Sequence, residues 1–466
     1  MNLLDKAVLV LYFAVLVIVG LIGTKKAQTR EEYVLAGRNL GLIMYCGCLC
    51  AVIIGGAATI GTAKLGYQFG ISGMWFVVML GLGILLLGLI FSNRFSKLHI
   101  ATISEFLGKR YNPETRLLSA VVAVIYTIMV TVTQVIGMGT IIHSLLGWDL
   151  SSSMLLGGGI VLFYTFLGGM WSVTMTDMIQ FIIMTVGIFA VMLPLSLSHV
   201  GGWHALISHL PASHLNLTNI GGKQIFQYFL LYALGMVVSQ DILQRVFTAK
   251  SAKISKQGAV FACIYSVAWA IALSVVGMCA RIALPEVKDP QNVFANMATT
   301  ILPPGLFGLV LAAVCSALMS NASGSLLASS TLLTNDIIKG FWLRNLSEKR
   351  YVSLSRVITL MIGIFSIIVA IWIQDLLVAL DVAYAILSGA IFVPVVLGIF
   401  WKRATPRAGF FAVIVSTIVV ILGLIIKGIS STDPIMYGIA TSIVVMVILS
   451  LLNVSKKTTL DDQISN

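Results

Sequence analysis

Side chains suited to binding a cation lie in the middle of a long apolar segment. Within residues 311–330, Ala317, Ser320 and Asn321 are spaced at i, i+3 and i+4, so they share one face of a helix. Alkali cations prefer hard oxygen ligands, namely carbonyls, hydroxyls and carboxylates. This face could supply them together with carbonyls freed by a break in a neighbouring helix. Serine-mediated packing between helices is the alternative explanation.

Glycines in two other apolar segments are candidates for such breaks. Gly55 and Gly56 lie within the run 42–65, and Gly235 lies within the run 224–246. Backbone groups in lipid must be satisfied internally, so irregular backbone indicates a lined cavity. Broken helices at equivalent positions of two halves are typical of a transporter's central site. Close helix packing would also explain the glycines.

Three charged residues lie inside apolar runs or at their ends, where ionisable groups are costly and commonly functional. Asp177 begins one run, Asp381 lies inside another, and Lys64 lies at the end of the run 42–65. Asp177 could bind a cation or carry a proton, or it could lie near a helix start that favours negative charge. Asp381 has the same options, and Lys64 is its obvious partner for an ion pair that could also act as a gate.

The elements that must position these residues are membrane helices. Of the 466 residues, 59% are hydrophobic and 10% are charged, whereas soluble domains have about 45–50% apolar and about 25% charged residues. This composition excludes an ordinary soluble enzyme and predicts an all-α integral membrane protein. Thirteen apolar runs are present, numbered 0 to 12: 4–23, 42–65, 73–92, 118–146, 153–169, 174–198, 224–246, 258–284, 303–335, 353–374, 376–401, 408–427 and 435–452.

The net charge of +12 is explained by topology rather than by a nucleic-acid partner. Of 29 lysines and arginines, 23 lie in six polar gaps, which alternate along the chain: 24–41, 93–117, 245–257, 336–356, 402–407 and 453–466. Cytoplasmic loops carry such an excess. The pattern predicts an outside N-terminus and a cytoplasmic C-terminus. The first run lacks the basic flank of a signal peptide and is expected to be a retained span.

Residues for catalysis are not grouped in the sequence. The six cysteines lie in apolar runs without zinc-ligand spacing, and most of the six histidines lie in loops or at span ends. The chain is therefore not expected to be an enzyme. We also expect no organic cofactor, no nucleic-acid partner and no obligatory protein partner.

Several short stretches, in a specific order, resemble the sodium:solute symporter family, in particular the branch that carries proline, pantothenate and sialic acid. The matching stretches are residues 31–41, 164–171, 176–180, 240–245, 334–336 and 400–403. The resemblance covers nearly the whole chain. It implies sodium-driven uptake of a solute by alternating access in a LeuT-like fold.

The resemblance also implies a domain organisation. A single transmembrane domain would contain 13 helices with a five-plus-five inverted repeat, in which spans 1 and 6 are broken. The predicted parts are an extra N-terminal helix at 4–23, repeats at 42–198 and 224–401, two further helices at 408–452, and a cytoplasmic tail at 453–466.

A sodium site follows from the same resemblance. Its ligands would be the carbonyls of Ala51, Ile54 and Ala317 and the side chains of Ser320 and Asn321, with Asp177 nearby. The family usually has Ser or Thr at the position of Asn321, whose amide differs in geometry and bulk. Some relatives have an acidic residue at the position of Ile53, and Asp381 could take over such a charge, including by protonation.

The solute is expected to bind beside the helix breaks. The candidate residues are Gly55, Gly56, Thr59, Thr133, Gln134, Tyr232, Asp381 and Tyr384. Backbone amides at a break suit a carboxylate group, so a small amino acid or organic acid is the expected solute, in a bacterial inner membrane. A proton-coupled symporter on the same fold and a non-transporting solute sensor are the alternatives.

Overall fold

A computed structural model describes residues 2–26, 29–98, 100–166, 169–343 and 347–452. These residues are helical apart from loops and one isolated β-bridge between Leu40 and Ala249. Ten helices in this part of the chain are long and apolar enough to cross a membrane: Leu3–Gly23, Ala57–Phe91, Pro113–Leu145, Met170–His199, Ala252–Ala283, Leu306–Trp342, Glu348–Ile373, Leu376–Phe400, Pro406–Lys427 and Pro434–Leu452. The bent pair Gly222–Val238 and Gln240–Val246 raises the number to 11. Two shorter apolar helices, Leu42–Ile53 and Leu150–Leu162, accompany them.

The predicted break after Ile53 is present. Leu42–Ile53 ends because Ile54 leaves the helical region, with φ −92° and ψ 75°, and helical backbone resumes over residues 57–69. Gly55 allows this path because a Cβ there would lie 2.7 Å from the Asn321 side-chain nitrogen. Residues 42–69 are called the first broken helix below.

The second break does not lie at Gly235, as the glycine pattern had indicated. Gly235 lies inside a helical segment, and a Cβ there would lie 2.5 Å from the Tyr384 ring. It therefore serves close packing. The break is at Ser239, where ψ is 125° and the axis bends by 49°. Residues 222–246 are called the second broken helix.

Small residues set the position of the first broken helix against Ala252–Ala283. A Cβ at Gly66 would lie 2.5 Å from the Ser274 carbonyl oxygen, and one at Gly277 would lie 2.2 Å from the Ala63 carbonyl oxygen. The two backbones are therefore in direct contact, as is common where small residues pack membrane helices. This contact positions the half of the first broken helix that follows its break.

The helix Leu306–Trp342, called the serine-rich helix below, lies at the centre of the bundle together with Pro113–Leu145. Most of the apolar length of both helices is buried, whereas Leu3–Gly23 is largely exposed. The N-terminal helix is bound to the serine-rich helix by Asp5, whose Oδ1 accepts hydrogen bonds from the amides of Gly305 at 2.7 Å and Gly308 at 3.0 Å. Further along, the Ser316 hydroxyl donates to Tyr12 Oη at 3.0 Å.

Candidate functional site

The two broken helices meet at a small cavity in the middle of the bundle, whose mostly apolar lining includes four polar side chains. Gly55 lines it from the first broken helix and Asp241 from the second. Gln134, Asn321 and Tyr384 come from three other helices. Irregular backbone inside a membrane needs polar partners, and a cavity bounded by helix ends can provide them.

Asn321 holds the end of the helical segment that precedes the first break. Its Nδ2 donates to the Val52 carbonyl at 2.7 Å, one of the carbonyls left without a partner when a helix ends. Its Oδ1 is buried and has no hydrogen-bond partner among the described residues. The amide nitrogen of Asn321 thus provides a partner for a backbone carbonyl at the break. Its amide oxygen remains available as an acceptor at the cavity wall.

Gln134 holds the other side of the same break. Its Oε1 accepts a hydrogen bond from the Gly56 amide at 2.8 Å, and its Nε2 donates to Val130. Thr59 and Thr133, predicted as solute ligands, use their hydroxyls locally. Thr59 donates to the Gly55 carbonyl at 3.1 Å, and Thr133 donates to the Met129 carbonyl at 3.0 Å.

A buried ion pair lies next to the predicted sodium ligands. Arg245 Nη2 is 3.1 Å from Asp177 Oδ2, and the two side chains are 1% and 0% exposed. The Ser320 hydroxyl donates to Asp177 Oδ1 at 2.5 Å, and the Cys48 thiol donates to Oδ2 at 3.2 Å. Arg245 also donates to the Ser320 carbonyl at 3.4 Å. Asp177 therefore already has a cationic partner.

Sequence reasoning missed Arg245 and Cys48. Arg245 had been counted with a cytoplasmic loop, but it lies buried in the helix Gln240–Val246. Room for its guanidinium comes from Gly324, where a Cβ would lie 2.4 Å from Arg245 Nη1. The available signal was an arginine at the end of an apolar run, in a motif already noted at residues 240–245.

The remaining predicted sodium ligands are buried close to the break. Ala51 precedes Val52, whose carbonyl accepts from Asn321, and Ile54 lies two residues after it. Ala317 lies one turn before Ser320 on the serine-rich helix. The end of Leu42–Ile53 leaves backbone carbonyls without the amides of a next turn. Carbonyl oxygens and a serine hydroxyl form a donor set that suits sodium.

Tyrosines connect the cavity to two carboxylates. Tyr126 donates to Asp241 Oδ1 at 3.1 Å and lies 3.2 Å from the Tyr384 hydroxyl. The Tyr232 hydroxyl donates to the Asp381 carboxylate. The rings of Tyr232 and Tyr384 are 5.2 Å apart in an edge-to-face arrangement. Two predicted solute residues, Tyr232 and Asp381, are thus in direct contact.

The predicted pair between Lys64 and Asp381 is not formed. Lys64 Nζ instead lies 3.1 Å from Asp375 Oδ2. Asp375 precedes the helix Leu376–Phe400 and caps it by accepting from the amides of Leu377 and Val378. Asp381 lies six residues further on, about 9 Å along the helix axis, and its carboxylate accepts from Tyr232.

A bundle of membrane helices in which two broken helices meet at a central cavity is the architecture of the LeuT-like secondary transporters. The sequence model of the sodium:solute symporter family matches residues 33–416. The chain belongs to this family, and it is a transporter rather than an enzyme.

Individual relatives cover almost the full chain. The high-affinity proline transporter PutP of Bacillus subtilis (strain 168) is 28% identical over 425 aligned positions, covering 87% of this chain and 89% of its own length. A sodium/proline symporter of Staphylococcus aureus (strain JH9) is 27% identical over 471 aligned positions, covering 96% and 91%. The outward-open structure of a Na⁺-coupled sialic acid symporter matches with a TM-score of 0.84 at 22% identity, covering 98% of this chain and 100% of that one.

Proposed function

We propose that the protein couples the inward movement of sodium to the uptake of a small amino acid or organic acid by alternating access. The observation that carries this proposal is the convergence of Ser320 and Asp177 beside the break of the first broken helix. The proline and sodium/proline transporters named above support a small solute of this kind.

The hydrogen bonds of Ser320 explain how it would hold sodium. Its hydroxyl proton is donated to Asp177, so the lone pairs of its oxygen are left to face a cation. The carbonyls of Ala51, Ile54 and Ala317 would complete the set. Arg245 offsets part of the cost of burying the Asp177 carboxylate, and Asp177 in turn orients Ser320.

Coupling follows from the position of the break. Sodium bound to Ala51 and Ile54 would stabilise the backbone path that also presents the amides of Ala57 and Ala58 to the cavity. A carboxylate bound there would benefit from the positive end of the resumed helix. Sodium and solute would therefore raise each other's affinity by the same factor, and the sodium gradient would drive the solute inward.

The finer architecture is part of the proposal. The bent pair counts as one span, and Leu150–Phe166 counts as another. Dividing Ala57–Phe91 at Gly70, where φ is +68°, joins its first part to Leu42–Ile53 and brings the count to 13. We place the repeats at 42–198 and 224–401, the N-terminus outside and the C-terminus in the cytoplasm of a bacterial inner membrane.

Thermal unfolding tests the sodium site without knowledge of the solute. We expect NaCl, but not KCl or choline chloride at equal ionic strength, to raise the melting temperature of the purified protein. A ligand that binds only the folded state stabilises it by about 2.7 kcal/mol at 100 times its Kd. Ser320→Ala removes one ligand and should abolish most of this sodium response.

Ser330→Ala is the matched control, because its hydroxyl donates to Leu327 on the same helix at 3.0 Å, away from the break. It should leave the sodium response unchanged. A melting temperature that changes with pH but not with sodium would contradict the proposal and favour proton coupling.

The pair between Lys64 and Asp375 would act as an outer gate, since it ties the first broken helix to the start of Leu376–Phe400. Partly exposed ion pairs contribute about 0.5–1 kcal/mol. Lys64→Met should therefore speed the reaction of a cysteine introduced at Ala58 with an impermeant thiol reagent by about two- to fivefold.

Lys223→Met is the control for the gate, since Lys223 is 68% exposed and pairs with Asp433 at 2.6 Å. Equal reaction rates in Lys64→Met and in the parent protein would contradict a gating role.

A further inference from the structure

Asp381 differs from three other carboxylates of the bundle in its partner. Asp177, Asp336 and Asp375 each form an ion pair with an arginine or lysine. Among the described residues, no basic side chain lies within 4 Å of the half-buried Asp381 carboxylate, and its hydrogen-bond donor is the Tyr232 hydroxyl. A neutral phenol supplies a hydrogen bond but no positive charge to this carboxylate.

Aromatic rings surround the phenol that contacts Asp381. The Tyr232 ring centroid lies 4.8 Å from that of Phe76, 5.2 Å from that of Tyr384 and 5.4 Å from that of Tyr228. All four rings are buried. Aromatic faces carry negative potential and attract ammonium groups, most strongly where water is excluded. The rings therefore favour a cation at the same place as Asp381 does.

This aromatic group forms part of the cavity wall. Phe76 and Tyr384 line the cavity, as does Leu380. Asp381 adjoins Leu380 and lies three residues before Tyr384, so Asp381 and Tyr384 share a helix face. Asp381 and Tyr232 are not among the described residues that line the cavity, so this carboxylate and the phenol that contacts it lie one layer behind the lining residues.

Another part of the cavity wall has the reverse polarity. Ala57 and Ala58 begin the resumed part of the first broken helix and line the cavity. The first amides of a helix lack partners within it and carry the positive end of its dipole. The cavity therefore has a positive wall at the helix start and a negative wall at the aromatic group.

We propose that the solute carries a positively charged nitrogen, which binds against the rings of Phe76 and Tyr384, with Tyr232 and the Asp381 carboxylate in the layer behind them. The inference rests on the proposed function and narrows it to amino acids, betaines and related amines. An organic acid without nitrogen would leave Asp381 without a cationic partner and would place another carboxylate beside Asp241, which lines the cavity.

Matched pairs of solutes test this inference. Purified protein in NaCl is unfolded thermally with amino acids and with analogues in which the ammonium group is missing, such as L-proline against cyclopentanecarboxylate and L-alanine against propionate. Glycine betaine, choline and neutral sugars complete the panel. We expect a raised melting temperature only with compounds that carry a charged nitrogen.

Asp381→Asn should weaken the apparent affinity for an active compound at least tenfold, and Asp381→Glu should restore part of it. Asp433→Asn is the control carboxylate, because Asp433 pairs with Lys223 outside the cavity, and it should keep the preference for nitrogen. If Asp381→Asn does not fold, Phe76→Leu removes a ring and leaves the carboxylate, and it should weaken glycine betaine or proline binding.

The inference is overturned if a nitrogen-free acid or a sugar stabilises the protein as well as its best nitrogen-bearing partner. It is also overturned if Asp381→Asn retains full affinity, or if no nitrogen-bearing compound acts on a protein that responds to sodium. The sodium response, recorded without solute on the same sample, tests sodium coupling separately. Nitrogen-selective stabilisation without a sodium response would support the inference and contradict sodium coupling.

Discussion

Arg245→Met is expected to lower the free energy of unfolding by about 3–5 kcal/mol and to abolish solute uptake. The substitution leaves Asp177 charged, 0% exposed and without its cationic partner. Asp177 also accepts from Ser320, so its displacement would disturb the proposed sodium site. Thermal unfolding and sodium-dependent uptake in vesicles measure the two effects.

Double substitution separates charge from packing. Asp177→Asn with Arg245→Met removes both charges and should recover much of the stability lost by Arg245→Met alone, without recovering the sodium response. Arg281→Met is the control, since Arg281 is exposed and lies against the Tyr67 ring; it should change stability by less than about 0.5 kcal/mol. An Arg245→Met protein as stable as the parent would show that the pair has no structural role.

Gly277→Val is expected to destabilise the protein by about 1–3 kcal/mol through overpacking. A Cβ at this position would lie 2.2 Å from the Ala63 carbonyl oxygen and 2.7 Å from the Tyr67 amide nitrogen. These are backbone atoms, so the helices must separate. The half of the first broken helix that carries Lys64 would move, and the sodium response should weaken together with the melting temperature.

Gly159→Val is the matched control, because a Cβ at Gly159 meets no atom within 4 Å. It should leave both measurements nearly unchanged. A Gly277→Val protein with an unaltered melting temperature would mean that the two helices are not held in the close contact described above.

Much of the helix order could be predicted from apolar runs. The apolar run 376–401 corresponds to the observed helix Leu376–Phe400, and the run 408–427 corresponds to the observed helix Pro406–Lys427. Membrane spans are readable in this way because lipid requires about 20 consecutive apolar residues. The glycine pattern left a helix break and close packing as alternatives, and the structure shows a break beside Gly55 but packing at Gly235.

Contacts between helices were harder to predict. Arg245 was assigned to a loop by its charge, yet its partner Asp177 lies 68 positions earlier and is seen only once the helices are packed. Lys64 pairs with Asp375 rather than with Asp381. Which of the two carboxylates it reaches depends on how the helices are placed against each other, and the sequence does not give this placement. The bend at Ser239 could not be predicted from residue type, because the bend residue is neither a glycine nor a proline.

Asp5 has a practical consequence for following the transport cycle. Its bonds to Gly305 and Gly308, with Ser316 and Tyr12 further along, fasten the N-terminal helix to the serine-rich helix. A spin label on the N-terminal helix would therefore report the position of the helix that carries Ser320. Paired with a second label on residues 62–69, it would measure directly how far the two sides of the site separate.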